Sequence, residues 1–476
     1  MVRRALVGTA AREFEGAELG DRRRSGRLTS IATALEEQPA RGFPRLLGSD
    51  AALEAFYRFI NNPGFGAEDI LAPHVTATCG RAAHAGVVVA VHDTTAVEYG
   101  SKRKDLGVTT SKTTAHGFVA QVALLVSEAD GLPLGVASLE TLKRSGEKWK
   151  KRKKQGQRGH VHRDDAGRES LRWIRGVEAV ENARQQRFDV IHVTDAEGDF
   201  FELFSRLNEL GTRFVIRAGQ LDRMVQTDQG ERKLKDVLNE LSPQTSREIE
   251  VCERKYPPRT VPQSTRRRHP ERQARVARVA IASTSVTIKK TKYAGGKAAP
   301  FEVNVVRVWE PLPPKDQPAV EWVLLTTEEA GSATALKRVV DLYRLRWIIE
   351  EYFKALKTGC ALEKRQIESY TALRKVLALF IPIAYRLLLL RGLERQDSSA
   401  PAHRAFSKTE LLIMANAPSN KGLKPPRTVA DALTHLARLG GHLRSNGPPG
   451  WQTLGWGYEK LLTLRLGWEM AMAAKM

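Results

Sequence analysis

The chain has 476 residues, more than one ordinary domain holds, so about two to four domains are expected. Hydrophobic residues make up 42%, enough for sizeable cores and too many for a disordered tail, and 76 Lys plus Arg against 54 Asp plus Glu leave a formal charge of +22. That excess favours a polyanionic partner, nucleic acid ahead of an acidic membrane surface or ribosome-associated folding; no run approaches the ~20 apolar residues of a transmembrane helix, and the opening residues lack the hydrophobic segment of a signal peptide.

Residues 1–75 read as mostly helical. Arg22, Arg23, Arg24 and Arg27 stand near an expected helix start, suited to phosphate contact or to an ordinary exposed basic face. Leu53, Phe56, Tyr57 and Ile60 recur at helical spacing, a stripe better suited to a core than to stacking on bases. GVVVAV at 86–91 suits a buried strand, and His92, Asp93, Thr94 and Thr95 follow it, which puts Asp93 at the strand's carboxyl end. Residues 117–127 and 133–141 read as antiparallel strands joined by the turn EADGL. The stretch 143–163, with His160 and His162, is strongly basic and reads as a loop ordered by DNA or simply solvated. A helix is expected over 169–180, then a second buried strand, FDVIHV at 188–193, which Asp195 ends. Glu197 and Asp199 fall at the start of the next helix, so Asp195 is the preferred acid.

From about 220 to 318 the chain changes character: loops marked by Pro257, Pro258, Pro262 and Arg266–Arg268, then β-branched runs at 276–290 and 301–310, a β-rich insertion after which the core resumes at Trp322–Thr327. One or two helices are expected over 333–357, and 376–390 reads as a buried helix, or a helix pair broken near Pro382 and Arg386. Small helices follow from about 400, where Leu461, Leu462, Leu464, Leu466 and Met470 form a stripe that packs internally or against another copy. The three cysteines, Cys79, Cys252 and Cys360, lie far apart, which argues for a reducing compartment and offers no zinc spacing.

The most informative stretch is YRLRWIIEEYFKALKTG at 343–359, which reads as one helix without Pro or interior Gly. At ~100° per residue, Tyr343, Arg346, Glu350, Lys354 and Lys357 fall within an arc of roughly 80°, one carboxylate among cations. Trp347, Ile348, Tyr352 and Leu356 face the other way, as a core contact. That polar face could be a solvated row of salt bridges, Asp93 a turn acceptor, and Asp195 a helix cap. Together, however, two acids at strand ends and one on a helix suit hard divalent cations such as Mg²⁺ or Mn²⁺. Two such ions about 3.5–4 Å apart can activate the attacking oxygen and stabilise the leaving one in phosphodiester chemistry.

The motifs HDTT at 92–95, VTDAEGDF at 193–200 and the Tyr343, Arg346, Glu350, Lys357 spacing resemble the DDE transposases, in particular the insertion-sequence-four family and within it the Tn-five type. The resemblance implies an α/β fold: a ribonuclease-H-like catalytic core at 80–219 and 319–395, interrupted by the β-rich insertion at 220–318, with a helical DNA-end-binding domain at 1–75 and a helical dimerisation domain at 396–476. It implies Asp93, Asp195 and Glu350 as the catalytic, metal-holding triad, with Mg²⁺ (or Mn²⁺ in its place), two ions per site. Tyr343, Arg346, Lys354, Lys357 and Arg217 would contact DNA, Trp322 would stack on a flipped base, and Arg22, Arg23 and Arg27 would bind the ends. The partners implied are double-stranded DNA, both transposon ends and target, and a second copy in the DNA complex; no membrane is expected, and the location is cytoplasmic, on the nucleoid. A DNA-binding transposition inhibitor or domesticated transposase, and a ribonuclease-H-like nuclease, are the alternatives.

Overall fold

The computed structural model of the protein describes residues 10–37, 42–100, 103–109, 115–144, 168–256, 270–290, 299–443 and 449–474, with Gln263 and Arg266. The basic stretch from 145 to 163, with His160 and His162, and the loop positions Pro257, Pro258, Pro262, Arg267 and Arg268 lie outside them. Two compact units result: Met1–Gly159, Arg175–Asp189 and Trp347–Met476 form one, His160–Ile174 and Val190–Arg346 the other.

The first unit opens with helices α1 (Arg22–Glu37), α2 (Phe43–Leu47), α3 (Asp50–Ile60) and α4 (Ala67–Ala82). The Ser49 hydroxyl caps α3 by accepting from Ala52 N at 3.2 Å. Phe56, Phe59 and Ile60 turn that helix's apolar face inward, with Leu53 and Tyr57 half-buried at its margin. A buried polar knot ties the amino-terminal turn to α4: His74 Nδ1 donates to Glu13, Arg81 Nη1 donates to Glu13 at 2.8 Å, and Val136 N donates to His74 Nε2 at 3.0 Å. A ring nitrogen that accepts from a backbone N–H is unprotonated, so His74 is neutral there.

Strand β1 spans Val87–Tyr99, β2 Gly107–Val108, β3 His116–Ser127 and β4 Pro133–Leu142. β1 and β3 pair antiparallel from Val88 opposite Ser127 to Tyr99 opposite His116, and β4 lies on the far side of β3. The first strand therefore does not stop at Val91. Thr94, Thr95, Val97 and Tyr99 are β-branched or aromatic, and each finds a partner on β3, so Asp93 sits in mid-strand, opposite Val122.

α5 (Leu171–Arg184) passes from the second unit to the first at Arg175. The second unit then carries β5 (Asp189–Thr194), α6 (Phe201–Glu209) and β6 (Arg213–Arg217), a strand–helix–strand passage with β5 and β6 parallel. β7 (Met224–Thr227), β8 (Gly230–Lys233), α7 (Leu234–Asn239), β9 (Thr245–Val251), β10 (Arg275–Ile288), β11 (Phe301–Trp309) and β12 (Glu321–Thr326) follow. The order across this unit is β5-β6-β12-β11-β10-β7-β8, with β9 also on β10. The expected insertion is thus continuous by hydrogen bonding with β6 and β12: Leu324 of β12 opposes Arg217, and Trp322 opposes Val308 of β11. α8 (Ala333–Arg344), capped by Ser332, closes the unit.

The chain returns to the first unit with α9 (Trp347–Lys354), a π turn at Ala355–Gly359, α10 (Tyr370–Gln396), α11 (Lys408–Asn416), α12 (Val429–Leu439) and α13 (Trp451–Ala473). α10 is one helix of 27 residues that runs through Pro382. By length and composition it could cross a membrane, but 89% of its most apolar window is buried inside the protein. Its two most buried charges find partners: Lys375 donates to Asn62 O, and Arg386 pairs with Glu36, which also accepts from Tyr458 Oη at 3.0 Å. α12 and α13 meet backbone to backbone. A Cβ at Gly457 would collide with the Leu436 carbonyl and one at Gly440 with the Thr453 carbonyl, while Gly455 sits on Gly359.

Candidate active site

In the second unit, three predicted residues converge on the phenol of a fourth. Arg217 ends β6, Trp322 lies on β12 and Tyr343 on the last turn of α8. Tyr343 is 2% exposed; its ring lies 5.9 Å from that of Trp322, and Arg346 lies 5.9 Å from its centroid. Burial raises the phenol's pKa, and the guanidiniums of Arg217 and Arg346, which also hydrogen-bond to it, act against that rise. Tyr343 thus holds two arginines in place rather than presenting itself to solvent, while Trp322 is half-buried.

Asp195 directly follows β5, as expected, and is half-buried. One of its oxygens accepts from Glu197 N at 2.9 Å, so it also caps the short turn Ala196–Gly198. The two acids set aside have work of their own. Glu197 pairs with Arg172. Asp199 is 3% exposed; it accepts from Gly219 N at 2.7 Å and Gln220 N at 2.8 Å, and pairs with Arg223. It therefore clamps the loop that follows Arg217, and there Gly219 comes so close to Ala196 that a Cβ would lie 3.1 Å from the Ala196 Cβ. No local pattern marks Asp199 for this, because its partners lie 20 and 21 residues away.

In the first unit, Asp93 is half-buried and accepts from Thr94 N at 2.7 Å. Glu350, also half-buried, lies on α9, which packs against β1. Lys357 fastens the two: from the π turn its Nζ donates to Ala96 O of β1 and lies 3.5 Å from Glu363. Lys354 is exposed and donates to Glu351 at 3.0 Å. Arg22, Arg23 and Arg27 are exposed along α1, whereas Arg24 turns inward, donating to Leu19 O at 2.9 Å.

The stretch 343–359 is not the single helix expected. α8 ends as Arg346 N donates to Tyr343 O at 3.0 Å, a tightened turn, and α9 begins afresh at Trp347. Burial of Tyr343 and Arg346 within the second unit outweighs helical continuity, and Trp347 emerges 43% exposed instead of packing in a core. Tyr343 and Arg346 accordingly belong to one unit, and Glu350, Lys354 and Lys357 to the other. Asp93 and Glu350 share a unit that Asp195 does not. Among the described residues no three His, Cys, Asp or Glu side chains are grouped to hold a metal ion. The acids themselves are oxygen donors of the kind hard divalent cations take.

Residues 8–64 match the family model for a transposase DNA-binding domain, and residues 148–383 match that for a transposase DDE domain. The first match contains Arg22, Arg23 and Arg27; the second contains Asp195, Arg217, Trp322 and the whole 343–357 signature, and begins after Asp93. Among solved structures the chain is similar to a piggyBac transposase, in a synaptic complex with hairpin DNA, at 10% identity and a TM-score of 0.36, covering 81% of this chain and 69% of that one. DDE domains are built on a ribonuclease-H-like core and work with divalent metal ions on a DNA partner, and with this domain placed behind a transposase DNA-binding domain, the chain is a DDE transposase, a DNA-cleaving and strand-transferring enzyme.

Proposed function

We propose that the protein is a cut-and-paste transposase of the insertion-sequence-four, Tn-five type, acting through Asp93, Asp195 and Glu350. The observation that carries the reading is the Tyr343 hub, which gathers Arg217 and Trp322 from two distant strands beside the neighbouring Arg346. In this reading water displaces the 3′ oxygen at the transposon end, and the freed 3′-hydroxyl attacks the opposite strand to close a hairpin. Water then reopens the hairpin, and the same hydroxyl attacks target DNA. Each step forms one P–O bond as another breaks, so one site serves all four. Two Mg²⁺ or Mn²⁺ ions held by the three acids would supply Lewis-acid stabilisation of the attacking and leaving oxygens. Arg217 and Arg346, oriented by Tyr343, hold phosphate oxygens with Lys354 and Lys357, and Trp322 stacks on the base that hairpin closure turns out, worth roughly 1–3 kcal/mol. Arg22, Arg23 and Arg27 bind the terminal repeats.

We further propose a homodimer in the DNA complex, joined through the outer part of α13. There Leu464, Trp468 and Met472 recur every four residues and are 37%, 37% and 44% exposed, while Leu461 and Leu462 pack inside. The enzyme would work on the nucleoid in the cytoplasm. The test is incubation of the protein with Mg²⁺ and a labelled fragment bearing its own inverted repeats, resolved on denaturing gels. Nicks at the repeat boundary followed by hairpin ends are expected, and Asp93→Ala, Asp195→Ala and Glu350→Ala should each abolish them while end binding persists. Binding without cleavage in both Mg²⁺ and Mn²⁺ would instead favour an inhibitor or domesticated binder; nicking without hairpins or strand transfer would favour a nuclease.

A further inference from the structure

In the first unit, α9, α10 and the turn between β3 and β4 enclose a cleft of about 270 Å³. Gly392 shapes its wall: a Cβ there would meet Leu132 at 3.2 Å and Pro133 at 3.4 Å, so the hairpin turn rests directly on α10. Arg391 and Arg395, one helical turn apart, line the cleft opposite Glu351 of α9 and Asp130 of the turn. Glu351 is already engaged, by Lys354 at 3.0 Å and Arg395 at 3.4 Å. Asp130, exposed at the rim, accepts from Leu132 N at 3.1 Å. Arg391 differs from its neighbours. Its guanidinium lies 4.7 Å from the centroid of Trp451, and among the described residues it makes no hydrogen bond or ion pair. Burial first, and then the charge of Arg395, depress its pKa, against the opposing charges of Glu351 and Glu394.

We propose that this cleft binds a phosphate group, gripped by Arg391 with Arg395 beside it. A guanidinium covered on one face by an indole is held in orientation and keeps its edge donors for a ligand, and that fork matches two phosphate oxygens. A cleft of this size admits a tetrahedral oxyanion with its hydration, and the two carboxylates that line it, Glu351 and Asp130, already accept from other donors. The phosphate is either a phosphodiester of DNA, a contact additional to those at Arg217 and Arg346, or a free phosphate. Neither arginine belongs to the catalytic acids or to the Tyr343 hub.

The full-length protein is compared with Arg391→Gln, whose planar amide keeps a partner for Trp451, and with Arg395→Gln; thermal unfolding verifies that each is folded. Binding of a random-sequence duplex is measured over a series of KCl concentrations, and binding of inorganic phosphate by calorimetry. If the source is DNA, Arg391→Gln flattens the slope of log K against log [KCl] by about 0.9, the contribution of one phosphate contact. If it is a free phosphate, the duplex slopes coincide and the wild type binds inorganic phosphate about tenfold more tightly than Arg391→Gln. Coincident slopes together with equal phosphate binding in all three proteins would overturn the proposal.

Discussion

A phenol that is 2% exposed cannot meet DNA from solvent, so Tyr343 acts through the two guanidiniums hydrogen-bonded to it. Tyr343→Phe keeps the ring beside Trp322 and removes only the oxygen those guanidiniums share. Cleavage in a single-turnover assay should slow about tenfold, while denaturant unfolding shifts by only about 1 kcal/mol. Asp199 tells the complementary story. Strand adjacency in the sequence favours Asp195 over it, yet nothing local reveals that Asp199 clamps Gly219, Gln220 and Arg223. Asp199→Ala leaves Arg223 with its buried charge uncompensated and should cost about 3–5 kcal/mol in a urea melt, whereas Asp199→Asn, which still accepts from both N–H groups, should cost less.

At the scale of elements, the runs that were short, apolar and bounded were legible: β3, β4, β5, β10, β11 and β12 lie where composition and alternation put them. The misplaced boundaries share a cause, namely partners distant in sequence. β1 continues past Asp93 because β3 pairs with it to Tyr99, and the 343–359 helix divides because Tyr343 and Arg346 are buried in one unit and Tyr352 and Leu356 in the other. Likewise α10 keeps its course through Pro382 because it is packed on all sides. The amino-terminal turn offers a titration test of such long-range ties. Burial would raise the Glu13 pKa, but the hydrogen bond from His74 and the charge of Arg81 outweigh it and bring it down to about 2. A carboxylate depressed in the folded state stabilises above its unfolded value of 4.5 and loses that contribution as pH falls toward 2. The stability margin of the wild type over Glu13→Gln, on the order of 3 kcal/mol at neutral pH, should therefore shrink between pH 4.5 and 2 in melts across that range.

For the whole molecule, composition already indicated the partner: an excess of 22 positive charges suits DNA, the partner that the two domain matches bear out. It could not show how the signature is shared between units, since spacing in sequence carries no information about where a unit ends. The proposed dimer gives a prediction at this scale: Trp468→Glu with Met472→Glu should halve the mass of the DNA-bound assembly in light scattering and leave the melting temperature nearly unchanged, because both side chains are solvated in the single chain. The glycine seam between α12 and α13 bears on how this domain can evolve. Crowding between side chains is relieved by a rotamer change, but a carbonyl cannot turn away from a new methyl without shifting its helix. In a saturation library selected for solubility of the single chain, positions 440, 455 and 457 should therefore admit almost no replacement, while 464, 468 and 472 of α13, partly solvated there, accept many. One helix would thus hold both the least and the most replaceable positions of the single chain, and the frontier between them would mark where packing within the chain gives way to the surface offered to a second copy.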